Sequence, residues 1–244
     1  MPGLPAVSIA GFLVIAVAVV LASALQASIG FGMGMLAAPI VALVDPSLLP
    51  GTLIVLAVVV TVLVVLAERQ HVDLTGTGWA MAGRVPGSVV GALLVATLPQ
   101  RGLALLLAAV VLLGVAVTSL GWAPAPRRTT LVAAGGASGV LGTATSIGGP
   151  PMALVWQGKE GPGLRGTMSG FFLVGSLISI ATLAVAGAIT THVLLAVAWL
   201  APLPVLGWAL SLLLNRHLDK QRLRRTAIVV SALGAAVLVV QQLV

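Results

Sequence analysis

The stretch GGASGVLGTATSIGGPP at residues 135–151 is the least expected feature of this apolar chain. It consists mainly of Gly, Ser, Thr and Pro, and apolar runs flank it closely on both sides. Gly and Pro both weaken helix interiors, so this composition is not typical of an uninterrupted helix. We therefore predict a broken segment at membrane depth over 129–156. Such a segment is tolerated only where it is buried in protein or lines a polar cavity.

A weaker counterpart lies near the front of the chain, QASIGFGMGMLAAP at residues 26–39. Two interrupted hydrophobic segments at matching places of two halves are the best sequence indication of a transporter's binding site.

The composition indicates an integral membrane protein. Of 244 residues, 59% are hydrophobic and only 7% are charged, and the mean hydropathy is +1.20. A soluble domain has about a quarter of its residues charged. There is no Cys, and His71, His192 and His217 are far apart in the sequence, so we expect neither a metal site nor a cofactor. The net charge of +7 does not indicate nucleic-acid binding, because no basic patch alternates with aromatic residues.

The apolar runs predict an all-α, polytopic membrane protein, because a spanning helix needs about 20 apolar residues. The expected helical segments are 6–26, 35–44, 49–67, 79–98, 102–120, the broken segment 129–156, 167–188, 193–214 and 226–240. We expect 157–165 to be a polar loop and 215–225 to be a basic one.

The order of these segments predicts two repeats, 1–121 and 129–244, joined by a cytoplasmic linker at 122–128. Each repeat has a broken helix pair followed by three transmembrane helices. Pro86, Val89, Gly91 and Leu94 share their spacing with Pro202, Val205, Gly207 and Leu210, and Gly30 and Pro39 share theirs with Gly142 and Pro151.

Charge placement predicts that the repeats are inverted. If each broken pair enters and returns on one side, nearly all basic loop residues lie on one face: Arg69, Arg127, Arg128, Lys159, Arg165, Arg216, Lys220, Arg222, Arg224 and Arg225. Among the loop cations only Arg101 lies on the other face. Since positive loops mark the cytoplasm, we expect a multi-pass protein of the inner (cytoplasmic) membrane with both termini outside.

The two breaks are candidate substrate sites. A helix that begins within the membrane has unpaired backbone N–H groups at a positive dipole end, which attracts anions. Glycines let a ligand approach the backbone, and hydroxyls add donors. The candidate residues are Gln26, Ser28, Gly30, Gly32 and Gly34 in the first break, and Thr143, Thr145, Ser146, Gly148 and Gly149 in the second. The alternative is close helix packing by small residues.

Arg84 is the sharpest single candidate, because it lies inside a predicted span, where a cation is costly. It would hold an anionic substrate, or else extend to the cytoplasmic interface. Arg165 lies just before another predicted span. We expect it to act either as a topology anchor or as part of a gate.

The acidic residues Asp45, Glu68, Asp73, Glu160 and Asp219 all lie in or beside loops. This placement gives no support to a proton relay of carboxylates within the membrane and disfavours cation transport. No nucleophile–base pair or metal cluster is evident, so we do not expect an enzyme.

The chain resembles the TauE/SafE family of sulfite and organosulfonate exporters. The two breaks carry the resemblance, supported by RVPGSVVGALL at 84–94 and LRGTMSGFFLVGSLIS at 164–179. The resemblance covers nearly the whole chain and implies an inner-membrane carrier of small, commonly sulfur-containing anions, built from inverted repeats. Phe31 and Met33, between the glycines of the first break, and Thr143 and Thr145 in the second depart from its pattern.

The sequence thus predicts a transporter that moves a small anion, such as sulfite or an organosulfonate, by alternating access, with export as the direction that the resemblance implies. The coupling ion and the oligomeric state stay open. The alternatives are a channel-like facilitator of a small solute and a non-transporting membrane partner protein.

Overall fold

The computed structural model describes residues 8–119, 124–214 and 220–243, and these residues form helices and no strand. In chain order the helices are α1 (Ile9–Ile29), α2 (Met33–Val44), α3 (Gly51–Glu68), α4 (Leu74–Thr97), α5 (Gln100–Ser119), α6 (Arg128–Thr145), α7 (Gly149–Val155), α8 (Gly161–Val185), α9 (Thr191–Leu200), α10 (Pro202–Leu214) and α11 (Lys220–Leu243). Two short 3-10 helices, Pro46–Leu48 and Arg69–His71, precede α3 and α4.

Several helices are long and apolar enough to cross a bilayer. In the described part of the chain these are Ile9–Ile29, Gly51–His71, Leu74–Thr97, Gly161–Val185 and Thr191–Leu213. The predicted spans at 102–120 and 226–240 are helices too, with shorter apolar stretches at Gln100–Ala116 and Ser231–Gln241. The prediction of an all-α polytopic membrane protein is confirmed. Residues 122 and 123 of the predicted linker, residue 120, and 215–219 of the basic segment lie outside the described residues.

Several helix boundaries differ from the prediction. Helix α4 begins at Leu74 and not at residue 79, and α11 begins at Lys220, within the segment 215–225 that was predicted to be a basic loop. The expected polar loop at 157–165 is shorter, because α8 already begins at Gly161, with Pro162 in its first turn. Proline suits this position since its missing N–H would be unpaired there anyway. The expected span 193–214 is divided, because α9 ends at Leu200 and α10 begins at Pro202, which has no N–H to continue a helix.

The glycine run at 135–142 is also helical, contrary to the prediction that this composition interrupts the helix. Helix α6 continues to Thr145, and its glycines lie against α4. A β-carbon at Gly139 would lie 2.6 Å from the carbonyl oxygen of Arg84, and one at Gly91 would lie 2.7 Å from that of Val140. Small residues thus let the two backbones touch, which is the packing alternative that the composition left open.

Helix α1 shows how the bundle faces its surroundings. Ile9, Leu13, Val17 and Leu21 are half or more exposed and recur every four residues, so they form one apolar outer stripe. The opposite face is buried and includes the polar side chains of Ser23, Gln26 and Ser28. Polar groups facing inward and apolar groups facing outward are what a lipid-surrounded helix requires.

The helices of the bundle pack against one another in several pairs. Helix α4 packs on α6, and α1 packs on α10. Helix α3 packs on α8, α5 on α11, α2 on α11, and α7 on α5. At the contact between α1 and α10, Gly207 lies directly against Ser23 and the carbonyl oxygen of Val20.

The two breaks occupy residues 30–32 and 146–148, directly after α1 and α6. Gly30 and Ser146 are the residues that follow the two helices, and both have left-handed backbones. They are 146 − 30 = 116 positions apart, which is also the separation of Pro86 and Pro202. The predicted correspondence of Gly30 with Gly142, and of Pro39 with Pro151, is therefore wrong by four residues, about one helical turn.

Candidate functional site

The first break reverses the chain over three residues. Gly30 and Gly32 have φ angles of 88° and 115°, a region that a side chain strongly disfavours. Helix α2 then begins at Met33, whose backbone N–H donates to Oε1 of Gln26 at 3.2 Å. The buried Gln26 thus satisfies one of the N–H groups that the start of α2 leaves unpaired.

The second break is held by side chains. Ser146 has a φ of 65°, which is uncommon for a residue with a side chain, and its Oγ donates to the carbonyl oxygen of Pro50 at 2.9 Å. Thr145 Oγ1 donates to the carbonyl oxygen of Leu141 at 2.7 Å and accepts from the N–H of Ile147 at 3.3 Å. These bonds close the last turn of α6 and fix where the chain turns.

The two breaks meet and enclose a small cavity. Gly34 of α2 packs directly on the carbonyl group of Ser146, and no side chain would fit there. The cavity has a volume of about 40 Å³. Its wall consists of residues of both breaks, of α3 residues, of Arg84 from α4, and of Phe172 and Ser176 from α8.

Arg84 contributes the charge of this cavity. Its side chain is buried, with 2% of the residue exposed. Nη1 donates to both the carbonyl oxygen and Oγ of Ser138 at 2.7 Å, while Nη2 lies 3.4 Å from Oγ of Ser179. The guanidinium carbon lies 5.4 and 5.9 Å from the ring centres of Phe171 and Phe172. The side chain therefore points into the protein and does not extend to an interface.

Within the described part of the chain, the guanidinium group has no carboxylate partner. Its Nε is buried and has no hydrogen-bond partner. Among the described residues, the carboxylates that form ion pairs do so with Lys159, Arg165, His71 and His192, and none pairs with Arg84. A buried charge is normally paired or fully hydrogen-bonded, so this site has the chemistry to accept an anion.

Three glycines make room for the guanidinium. A β-carbon at Gly142 or Gly148 would lie 2.9 Å from Nη1, and one at Gly175 would lie 2.7 Å from Nε. Ser138 Oγ also donates to the carbonyl oxygen of Gly148 at 2.6 Å, so the same hydroxyl links Arg84 to the second break.

A family model described as sulfite exporter TauE/SafE matches residues 15–238, which include both breaks and Arg84. The chain belongs to the TauE/SafE family. The resemblance seen in the sequence is confirmed, and membership implies a membrane transporter. No curated protein and no solved structure matches the chain.

In this TauE/SafE chain, seven of the eleven predicted site residues line the cavity: Gln26, Gly32, Gly34, Arg84, Ser146, Gly148 and Gly149. The other four lie nearby without lining it. Thr143 shares a 2.7 Å hydrogen bond with Ser179, and Thr145 closes α6. Gly30 packs against Met168 of α8, and Ser28 faces a second pocket. Substrate binding by any of the eleven stays a prediction.

The backbone of the second break offers fewer donors than expected. Helix α7 has only seven residues, and Pro150 and Pro151, which lack an N–H, occupy its first turn. Among the described residues that line the cavity, Arg84 is the only charged one.

Sequence reasoning missed the residues that position Arg84. Ser138 lies within the quoted stretch 135–151, and Ser179 and Phe171 lie in α8, but none was predicted as a site residue. A signal was available, because Gly135, Ser138 and Gly142 recur at intervals of three and four residues. That spacing places them on one face of a helix.

A larger pocket of about 420 Å³, which we call the vestibule, lies beside the first break. It is lined by Ser28, Phe31, Gln157, Lys159, Leu164 and Arg165, among others. Both cations are paired, since Arg165 donates to Glu68, and Lys159 Nζ lies 3.2 Å from Oδ2 of Asp73. These pairs tie the beginning of α8 to the connection between α3 and α4.

The pKa of Asp73 is lowered. The main cause is that its carboxylate accepts a hydrogen bond from the backbone N–H of Gly76 at the start of α4. Burial raises the pKa by less than this hydrogen bond lowers it, and the pairing with Lys159 lowers it further. Arg165 thus forms part of the vestibule rim in a partly buried ion pair, a position compatible with either role predicted for it.

Proposed function

We propose that this TauE/SafE protein carries a small anion across the cytoplasmic membrane and binds it in the cavity between the two breaks. The observation that carries the proposal is the buried Arg84 guanidinium, which faces the cavity without a carboxylate partner among the described residues. Removing one partner of a buried ion pair typically costs about 3–5 kcal/mol. An anion in the cavity would recover part of such a cost.

The surroundings of Arg84 support an anion over a neutral solute. The start of α2, at Gly32 and Met33, lines the same cavity, and a helix start carries partial positive charge. Ser176 adds a hydroxyl to the wall. Within the described residues no carboxylate lines the cavity, so its electrostatic character favours negative ligands.

The size of the cavity supports a compact ion. A water molecule needs about 10–15 Å³ of such volume, so 40 Å³ holds about three water-sized groups. A small inorganic oxyanion such as sulfite suits this space without rearrangement, while an organosulfonate requires the walls to move.

The helix contacts support the two inverted repeats and, with them, alternating access. Suppose that α1 is exchanged with α6, α2 with α7, α3 with α8, α5 with α11, and α4 with the pair α9 and α10. Each main contact between helices then becomes a contact that is also observed. The contact of α4 with α6, for example, becomes the contact of α10 with α1. Two repeats related by a twofold axis would give this pattern, and transporters of that kind rock one part against another around a fixed site. Termini on the outer face and export as the direction belong to the same proposal.

The test is anion flux from proteoliposomes that contain the purified protein, over sulfite, sulfate, thiosulfate, taurine-derived sulfonates and small carboxylates. Arg84→Gln and Arg84→Lys would be measured beside Arg101→Gln, a matched control at an exposed arginine. We expect saturable flux of at least one anion, lost in Arg84→Gln and unchanged in Arg101→Gln. Lysine should restore little, because it cannot reproduce the planar guanidinium's bonds to Ser138.

Ligand binding gives a readout that does not need flux. A bound anion at 100 times its Kd stabilises the protein by about 2.7 kcal/mol, so the apparent Tm should rise with the transported anion in the wild type but not in Arg84→Gln. No flux and no stabilisation with any anion would overturn the proposal. Flux that does not saturate would favour a channel-like facilitator, and full complex formation without flux would favour a partner protein.

A further inference from the structure

Adjacent residues of the first break line the vestibule and the cavity. Phe31, the middle residue of the first break, lines the vestibule. Its neighbour Gly32 and the facing residue Gly149 line the cavity. The side chain of Phe31 therefore lies at the boundary between the two spaces.

The ring of Phe31 is packed directly on the second break. A β-carbon at Gly149 would lie 2.8 Å from Cδ2 and 3.3 Å from Cβ of Phe31, so only glycine leaves room for the ring there. Phe31 itself is 7% exposed. The contact joins the first break to the start of α7, so an opening between the two spaces at this point would require these two groups to separate.

The backbone turns at Phe31, between two glycines. Gly30 and Gly32 flank it with positive φ angles, and residues that absorb backbone rotation at hinges are often small ones such as these. An apolar ring at a narrow opening also excludes water and ions, as hydrophobic constrictions do in channels.

We propose that the Phe31 ring is the barrier between the vestibule and the Arg84 cavity, which an anion must pass to reach the site from the vestibule. The inference rests on the proposed function, since it describes the route to that site. The charged residues that line the vestibule are Lys159, Glu160 and Arg165, and both cations are paired with carboxylates outside this lining.

The absence of cysteine in this chain allows a direct test by cysteine accessibility. Ser176→Cys places a thiol at the cavity wall, beyond the barrier, and Gln157→Cys places one in the vestibule, before it. The rate of modification by a small anionic methanethiosulfonate would be measured in nanodiscs. Each reporter would be combined with Phe31→Ala and with Phe31→Leu. The control is Phe12→Ala, the same change at a partly buried core position of α1 away from the break.

We expect Ser176→Cys to react on the order of tenfold faster with Phe31→Ala, because removing the ring opens the constriction. The increase should be smaller with Phe31→Leu and absent with Phe12→Ala. Gln157→Cys should react at the same rate in all backgrounds. Size-exclusion chromatography identifies any variant that fails to fold, and the leucine variant keeps the test decisive if the alanine variant does.

Equal rates at Ser176→Cys with and without the ring, whether all fast or all slow, would overturn the inference. The result is independent of transport. Faster labelling of Ser176→Cys with Phe31→Ala, but without any anion flux, would support the barrier and contradict the proposed function. Arg84-dependent flux, with labelling rates that do not depend on Phe31, would support the proposed function and contradict the barrier.

Discussion

The glycines of α6 provide the sharpest test of the packing, because two adjacent glycines have opposite surroundings. At Gly135, an added β-carbon would lie 2.8 Å from the carbonyl carbon of Ala80 and closer still to its oxygen. At Gly136, the nearest atom is the carbonyl oxygen of Gly83 at 3.7 Å, an ordinary contact. Alanine at these two positions should therefore have effects of opposite sign.

The magnitude follows from the distances. Ordinary contact begins at 3.4 Å, so Gly135→Ala must separate α4 and α6 by at least 3.4 − 2.8 = 0.6 Å. The obstacle is backbone and cannot move aside as a flexible side chain does, so the cost lies toward the upper part of the range of about 1–3 kcal/mol for overpacking. Helix propensity returns up to about 1 kcal/mol, which leaves a net loss of about 2 kcal/mol. Gly136→Ala keeps only the gain of up to about 1 kcal/mol.

The measurement is the apparent Tm of both variants in one detergent at one heating rate. A change of 1 kcal/mol shifts the Tm by about 2–4 °C for a chain of this size. We expect Gly135→Ala to lower the Tm by about 4–8 °C and Gly136→Ala to leave it equal or raise it by up to about 4 °C. The reasoning is refuted if Gly135→Ala is as stable as the wild type, or if both variants lose the same amount.

Three further outcomes are expected. Ser138→Ala should weaken anion binding about ten- to hundredfold, because hydrogen bonds to charged groups are worth about 1.5–3 kcal/mol. Titrations that follow the Tm against anion concentration would measure this loss. The control is Ser211→Ala, at a buried serine of α10, which should leave anion binding unchanged. The stability that Asp73 contributes is fully present above its unfolded pKa of about 3.9 and is lost as the pH falls through its lowered folded pKa. The apparent Tm should therefore show no change due to Asp73 between about pH 7 and 5, where this contribution is constant. It should fall below about pH 4, and less steeply in Asp73→Asn. Flux of sulfite should exceed that of a two-carbon sulfonate, because the cavity holds about three water-sized groups; competition assays that favour the larger ion would contradict this.

The sequence was sufficient for the membrane class, the order of the helices and the location of both breaks. Two polar, Gly-rich interruptions in apolar runs leave few alternatives in a bilayer, where every backbone group needs a partner. The burial of Arg84 was left open, because the predicted span 79–98 placed it close to a membrane interface. In the structure α4 begins at Leu74, ten residues before Arg84, which is about 15 Å along the helix.

Composition could not distinguish glycines that end a helix from glycines that pack one. Gly135 and Gly139 lie on the face of α6 that touches α4, whereas Gly30 and Gly32 turn the chain. The same residue type serves both purposes, so only the spacing of the small residues or the structure itself separates them. Likewise, the contact between Arg84 and Ser138 joins residues 54 positions apart, and no local pattern indicates it.

The placement of Arg84 constrains how the proposed carrier moves. Arg84 is bonded to Ser138, and these two residues lie on α4 and α6, whose backbones touch along the glycine face. A pair packed so closely behaves as one rigid unit, because packed interfaces shift between discrete arrangements and do not deform continuously. In the proposed carrier the charge would therefore stay on this unit while access to it changes. The first break is the natural counterpart, since Phe31 reaches the second break through a contact with Gly149 and is flanked by two glycines that tolerate rotation. In this proposal, Arg84 stays on the unit of α4 and α6, and the Phe31 ring of the first break closes the entrance to it. The affinity of the site for an anion and the accessibility of the site can then change separately.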